Sequence, residues 1–292
     1  MLFFTEAMGE DFWKLNKEEI ARQVRLRGVV VLDNVSEMPI YDETFITKSV
    51  TIGLNVSGWL RAEYDMRSIE IRQHNISVVY PDHILMVKES SADYRVMLII
   101  ISQQYFEQLK RVNPLGYQVN LNYHYQTHFH LNSEQFEQQL SLFRLMQHVA
   151  KSDNPRRMDL INNLLELIFE LLQEYKLSRG EVVRPPSAQE ALFARFHDAV
   201  VRNYTNSREV QFYADMFNMT PKRFSSLIKQ FTGVSALNWI GDFVIVQAKS
   251  LLRNHRQLTI QQVAQRLGFS DHTSFSRYFK HYTGMSPTAF RS

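Results

Sequence analysis

The chain has 292 residues and no cysteine, which excludes disulfides, thiolate metal sites and cysteine nucleophiles. Hydrophobic residues make up 45% and charged residues 22%, the mix of a globular protein with enough chain for two cores, and the longest apolar run, Val96–Ile101, is too short to cross a bilayer. The net charge of +3 is unevenly spread: from Ala188 onward 13 Lys and Arg face 6 Asp and Glu, a balance of +7, whereas the chain before it has 20 against 24, a balance of −4.

The first 13 residues carry acidic groups and no basic leader region, so no signal peptide is expected, and the lack of thiols suits a reducing cytoplasm. Lys17–Arg27 is charged and reads as a short helix at most. From Gly28 the pattern changes. Val29–Leu32, Thr44–Val56, Trp59–Tyr64, Ser68–Ile71, Ile76–Val79, Ile84–Val87 and Tyr94–Ile101 are short segments rich in Val, Ile, Thr and Tyr. Turns are expected at Asn55–Gly58 and Tyr80–Asp82. Many short, closely spaced strands predict an antiparallel barrel or jelly roll, and a barrel of about eight strands is just wide enough for one small ligand. Phe45, Trp59, Tyr64, His74, Tyr80 and His83 are the candidate lining residues of such a pocket, each competing with a role as core aromatic or satisfied histidine.

His128, His130 and Glu134 have the H-x-H-x3-E spacing with which a strand and its turn aim two imidazoles and a carboxylate at one ion. Asn122 stands where that motif carries a glycine, and Glu134 falls in the first turn of a helix capped by Asn132 or Ser133. Neither a metal nor another cofactor is therefore expected. Two helices follow. Ser133–Ala150 has Phe136, Leu140, Phe143 and Met146 along one stripe. Met158–Tyr175 is apolar over most of its girth, and such a helix must be covered on two sides. One side is expected on the barrel and the other on a second copy of the chain, giving a homodimer. Lys176–Pro186 is polar with Gly and a Pro pair and reads as a linker. Ser187 with Glu190 then opens a helix running to about Asn203.

The last segment, Thr259–Phe290, reads as helix, tight turn, helix and short closing helix. Thr259 and Gln262 make a capping box, and Ile260, Val263, Ala264 and Leu267 share one face. Gly268 ends that helix, and Ser270 or Asp271 can cap the next. Phe275, Phe279 and Tyr282 then form the inner side. His272, Thr273, Ser274, Ser276, Arg277 and Lys280 form the outer side. Asn206–Ala236 repeats the plan. Ser225, Lys229, Thr232, Gly233 and Ser235 precede Ser276, Lys280, Thr283, Gly284 and Ser286 by 51 positions, and Ala214 precedes Ala264 by 50, so the second turn is one residue longer. Between the copies, Ser235–Asn254 reads as one long helix despite Gly241. A basic, hydroxyl-rich helix held steeply to a first helix is what a major groove accepts.

At these residues the chain resembles the DNA-binding domain of the AraC/XylS family of bacterial transcription regulators. The resemblance covers about the last third of the chain. It rests on Gly268, Phe269, Ser270, Phe275, Arg277, Phe279, Lys280, Gly284, Ser286 and Pro287, and on Ala248, Lys249, Leu251 and Leu252 of the connecting helix. Two positions depart from the family pattern: Val244 replaces a usual basic residue, and Tyr213 a usual leucine. The resemblance implies a cupin-like sensor domain ahead of the DNA-binding part. It places contact positions on Lys222, Ser225 and Ser226, and on His272, Thr273, Ser274, Ser276 and Arg277. Arg223, Lys229 and Lys280 join them by direction and charge.

The expected fold is α+β: an N-terminal cupin-like antiparallel β-barrel with two trailing helices, then an all-α domain with two helix-turn-helix motifs joined by a long helix. The expected divisions are 1–132 for the sensor barrel, 133–178 for the helical pair, 179–187 for the linker and 188–292 for the DNA-binding domain. The expected function is sequence-specific transcription regulation under a small effector, without enzymatic activity. The expected partners are double-stranded DNA, the effector, a second copy and, for an activator, RNA polymerase, with no membrane. Two alternatives stand beside it. One is a metal-dependent enzyme fused to a DNA-binding tail, supported only by the histidine spacing. The other is a DNA-binding protein whose barrel is a dimerisation scaffold alone.

Overall fold

The computed structural model describes residues 28–35, 45–47, 49–112, 127–178 and 187–291. The chain divides into two compact units, one built from residues before 186 except Thr44–Ile46 and Tyr64–Arg67, and the other chiefly from Pro186–Ser292.

The strands, all before residue 186, are β1 (Val29–Val35), β2 (Phe45–Ile46), β3 (Ser49–Ser57), β4 (Trp59–Tyr64), β5 (Arg67–Arg72), β6 (Asn75–Val79), β7 (Ile84–Ser90), β8 (Arg95–Ser102) and β9 (His128–His130). They make a five-stranded sheet, β1-β8-β3-β6-β9, and a four-stranded sheet, β2-β7-β4-β5. Pairing in the larger sheet is antiparallel, with Val29 opposite Ile101, Ile52 opposite Ile99 and Val78, and Ile76 opposite Phe129. Strand β8 explains the unbroken apolar run. Its Val96, Leu98 and Ile100 pack with Leu60, Ile71 and Val87. Its Met97, Ile99 and Ile101 face the helices, so both faces are covered and no polar alternation is needed.

Two expectations about the strands need correcting. Asn55, Val56 and Ser57 belong to β3, and the chain reverses only at Gly58, whose φ of 67° suits a residue without Cβ. The expected continuous segment Thr44–Val56 is interrupted after Ile46. One further reversal went unread: Asp65 and Met66 join β4 to β5 with φ values of 48° and 65°, the two-residue hairpin signature, without the usual Asn-Gly.

Three helices complete this unit. Helix α1 (Gln103–Val112) follows β8 directly and buries Phe106 and Leu109; the sequence reading had not assigned it. Helix α2 (Ser133–Lys151) starts at Asn132, whose side chain accepts the Gln135 N–H while Gln135 accepts the Asn132 N–H. Helix α3 (Arg157–Ser178) continues to Ser178, past the expected linker start at Lys176; the rest of the linker lies outside the described residues. Ile161, Leu165, Ile168, Leu172 and Tyr175 of α3 pack with Phe136, Phe143 and Met146 of α2 against the sheet.

The second unit is helical: α4 (Ala188–Asn203), α5 (Val210–Met216), α6 (Pro221–Thr232), α7 (Ala236–Asn254), α8 (Ile260–Arg266), α9 (His272–Thr283) and α10 (Pro287–Arg291). Ser187 and Glu190 form the expected capping box of α4. Helix α7 is shared by two cores. Its Trp239 lies 5.1 Å from Phe196 and 5.7 Å from Phe193 in the first. Its Val244, Ala248 and Leu252 join Val263, Leu267, Phe275 and Phe279 in the second. Val244 is fully buried there, where a charged side chain would be costly. Gly241 survives in mid-helix because the Tyr282 ring occupies the space a Cβ would take.

Candidate DNA-binding interface

The two repeats are built by the same local chemistry. Thr220 caps α6 by accepting the Arg223 N–H, and Asp271 caps α9 by accepting the Ser274 N–H at 2.8 Å. Both helices stop at a left-handed glycine, Gly233 at φ 85° and Gly284 at φ 79°. The preceding threonine makes the stop. Thr232 Oγ1 donates to the Ile228 carbonyl at 2.9 Å and accepts the Val234 N–H at 3.2 Å. Thr283 Oγ1 donates to the Phe279 carbonyl at 2.7 Å and accepts the Met285 N–H at 3.4 Å. The shared Thr-Gly pair of the repeat is this cap. In the turns, Asn218 at φ 53° holds the place that Gly268 at φ 73° holds 50 residues later. Tyr213 fits the leucine position by donating its hydroxyl proton to the Ser207 carbonyl at 2.8 Å.

Each outer helix is buried on one side only. Phe224, Ile228 and Thr232 of α6, and Phe275 and Phe279 of α9, are the buried residues. Lys222, Arg223, Ser226 and Lys229 are exposed on α6, as are His272, Thr273, Ser274, Arg277 and Lys280 on α9; Ser225 and Ser276 are half-buried. Among the described residues, the side chains of Lys222, Arg223, Lys229, Arg277 and Lys280 make no ion pair or hydrogen bond, so their charges are unspent.

Three of the hydroxyl and imidazole positions have protein neighbours. Ser225 Oγ accepts the Ala236 N–H at 3.2 Å. The corresponding residue of the second copy is Pro287, which has no N–H, so Ser276 cannot repeat that bond. Ser274 Oγ donates to Asp271, and with Ser270 and the helix N–H groups it holds that carboxyl down at about 2. His272 meets Gln261 of α8 through both its backbone N–H and its ring.

Two residues of this unit were not singled out from the sequence. Arg208 donates to the carbonyls of Tyr204 at 3.3 Å, Leu267 at 2.9 Å and Gly268 at 3.0 Å, and stacks 4.0 Å over the Phe269 ring. It thereby ties the entry to the first repeat to the end of α8 in the second. Burial lowers its pKa without bringing it near neutrality in a guanidinium. Asp242 of α7 is half-buried with no hydrogen bond or ion pair among the described residues, and burial raises its carboxyl to about 6 despite the attraction of Lys249. Because the folded value lies above the ordinary one, the group favours the fold below about pH 4 and that contribution is lost as pH rises through 6. Asp242→Asn is expected to raise Tm by a few degrees at pH 8 and to leave it unchanged at pH 4. Equal shifts at both pH values would show that Asp242 does not titrate in this range.

In the first unit the candidate pocket residues have differing neighbours. Tyr80 and His83 are joined by Thr47, whose hydroxyl donates to the Tyr80 carbonyl and whose N–H donates to the His83 carbonyl at 3.0 Å. His74 stacks on Phe136 at 4.1 Å and lies 6.1 Å from the His130 ring. Trp59 lies under Arg61 at 4.7 Å, Tyr64 is buried, and the Phe45 side chain lies outside the described residues. Of the H-x-H-x3-E residues, His128 and His130 end β9 on either side of Phe129 and Glu134 lies in the first turn of α2. Burial lowers the His128 pKa.

Two capped helix-turn-helix repeats with unpaired cations on their outer helices define a DNA-binding transcription regulator. A helix-turn-helix domain family matches residues 213–292. The Msm operon regulatory protein of Streptococcus mutans is 26% identical over 226 residues, 76% of this chain and 79% of that protein. The arabinose operon regulatory proteins of Salmonella typhimurium and Escherichia coli are 34% and 45% identical over 132 and 74 residues. Those two matches span 46% and 25% of the relatives' lengths, and 43% and 25% of this chain. The chain carries this helix-turn-helix domain and is similar to these operon regulators. No helix among the described residues is long and apolar enough to cross a membrane.

Proposed function

We propose that this regulator sets α6 and α9 into successive major grooves of one operator, under the control of a small effector taken up by the N-terminal sheets. The observation that carries the reading is the pair of outer faces joined by one helix. At 19 residues, α7 spans about 28 Å, close to the roughly 34 Å between major-groove faces on one side of B-DNA. Lys222, Arg223, Ser225, Ser226 and Lys229 are the contacts of the first helix, and His272, Thr273, Ser274, Ser276, Arg277 and Lys280 those of the second. Arg277 can bond guanine O6 and N7 together, whereas the first helix offers mainly hydroxyls and lysines and reads less sharply.

Arg277→Ala is expected to weaken operator binding by about 1–3 kcal/mol and to relax preference at one base pair. Lys280→Ala is expected to weaken binding to every sequence and to reduce the slope of log affinity against log salt by about one. Wild-type operator affinity in Arg277→Ala would remove α9 from the recognition role.

The division into a sensor of residues 1–132, a dimerising pair at 133–178, a linker at 179–187 and a reader at 188–292 is part of this reading. For the dimer, Leu160, Leu164, Leu167 and Leu171 form a second stripe on α3 at coiled-coil spacing, with Leu160 39% and Leu167 45% exposed. Leu145 of α2 is 48% exposed. A second copy covers these leucines. Sedimentation that finds only monomer at micromolar concentration would refute this. The effector is sought around Phe45, Trp59, Tyr64, His74, Tyr80 and His83, by ligands that raise Tm through binding to the folded state. A cytoplasmic setting, no catalysis and, in activation, contact with RNA polymerase complete the assignment.

A further inference from the structure

We propose that Gln261 fixes the tautomer of His272, and that this makes His272 a reader of the amino-bearing bases, adenine or cytosine, on the strand it faces in the major groove. The proposal rests on α9 being a recognition helix. His272 is the first residue of α9 and is exposed. Its backbone N–H lies 3.1 Å from Gln261 Oε1, and its ring Nδ1 lies 3.2 Å from the same atom. A backbone N–H can only donate, so the Gln261 atom facing it is the amide oxygen, which can only accept. Nδ1 must therefore carry the proton to bond that oxygen. In the neutral ring Nε2 is then a bare lone pair, on the side of the imidazole away from Gln261.

The carboxylate next to it in sequence is already occupied. Asp271 is engaged by the Ser274 N–H and by the hydroxyls of Ser270 and Ser274. An Nε2 lone pair in the major groove is matched by adenine N6 or cytosine N4, the amino donors, and is repelled by guanine O6 and N7 or thymine O4. With Gln261 replaced by an apolar residue the ring can take either tautomer, and it loses that discrimination. Gln261 is thus a positioning residue that acts on base choice through His272.

The test uses the full chain at pH 8, where an ordinary histidine is neutral. Long-range proton–nitrogen NMR spectra identify the His272 signals by their loss in His272→Ala. A protonated, pyrrole-type Nδ1 with a pyridine-type Nε2 is expected in the wild type and in Gln261→Glu, which keeps the acceptor. A mixed or inverted pattern is expected in Gln261→Leu. A protonated Nε2 in the wild type overturns the proposal. Selection from randomised duplexes is then expected to show one position at which adenine or cytosine on one strand is favoured over guanine or thymine about three- to tenfold, the scale of one hydrogen bond. That preference disappears in His272→Ala and Gln261→Leu and persists in Gln261→Glu. If Gln261→Leu keeps a preference that His272→Ala loses, Gln261 has no positioning role and the proposal fails. If His272→Ala changes nothing while Arg277→Ala still relaxes its own base pair, the proposal fails and the recognition helix stands. If neither substitution alters selection, the reading of α9 falls as well.

Discussion

Replacing Gly268 with alanine is expected to lower the unfolding free energy of the chain by about 3–5 kcal/mol, the sum of a left-handed backbone penalty and an overpacking cost. Gly268 sits at φ 73°, and a Cβ there would overlap the Thr205 carbonyl oxygen and lie 2.6 Å from its carbon. These are backbone atoms just after α4, so no side chain can swing away. The repeat supplies its own control. Gly284 has a similar φ of 79°, but a Cβ added there meets nothing within 4 Å. Gly284→Ala should therefore cost only the backbone part, about 1–2 kcal/mol. Denaturant unfolding of both variants, followed by helical circular dichroism, isolates the difference. Coincident midpoints would mean that the close approach of the turn to Thr205 adds nothing.

Arg208→Ala is expected to cost about 3 kcal/mol and to separate the two reading modules in function. Its guanidinium satisfies three carbonyls, two of them at the end of α8, and hydrogen bonds from a charged donor contribute about 1.5–3 kcal/mol each without adding fully. The alanine variant leaves the part-buried Tyr204 and Leu267 carbonyls without this donor and the exposed Gly268 carbonyl to water. Arg208→Lys keeps the charge but presents one nitrogen to carbonyls arranged for a planar fork, so it should recover less than half of the loss. Because the residue ties the entry of the first module to the second, footprints of the alanine variant should lose protection over one half of the operator before the other. A variant that melts with the wild type and protects the whole operator would show that the tie is incidental.

Local chemistry was readable in advance because it depends on residues three or four apart. The starts of α2, α4 and α8 at Asn132, Ser187 and Thr259 followed from the capping rule. The Thr-Gly stops and the one-residue difference between the turns were visible in the repeat, and the continuity of α7 through Gly241 in its helical spacing. Distant contacts were not visible. Arg208 meets Leu267 and Gly268 at separations of 59 and 60 residues, and nothing near Arg208 marks it as different from a surface cation. Gln261 looks like any polar residue of a short helix until its oxygen is seen facing His272. Helix α1 was missed because a short helix carries few periods of pattern. In the first unit seven β-branched runs marked β1 to β8, with β2 and β3 read as one segment, while the three-residue β9 carries no such run. The two-residue reversal at Asp65 and Met66 carries no glycine to announce it.

The serine pair limits how far this protein can be treated as a kit of exchangeable parts. Ser225 stands before the N–H of Ala236, while the residue matching Ala236 in the second copy is Pro287, which has no N–H to offer Ser276. A graft of α9 into the place of α6 would bring Ser276 up to a waiting donor, and the reverse graft would release Ser225 from its own. The helices would trade places without trading their readout. Retargeting this regulator means moving each helix together with the backbone it leans on, and residue 287 belongs to the second reader as much as any side chain on its outer face.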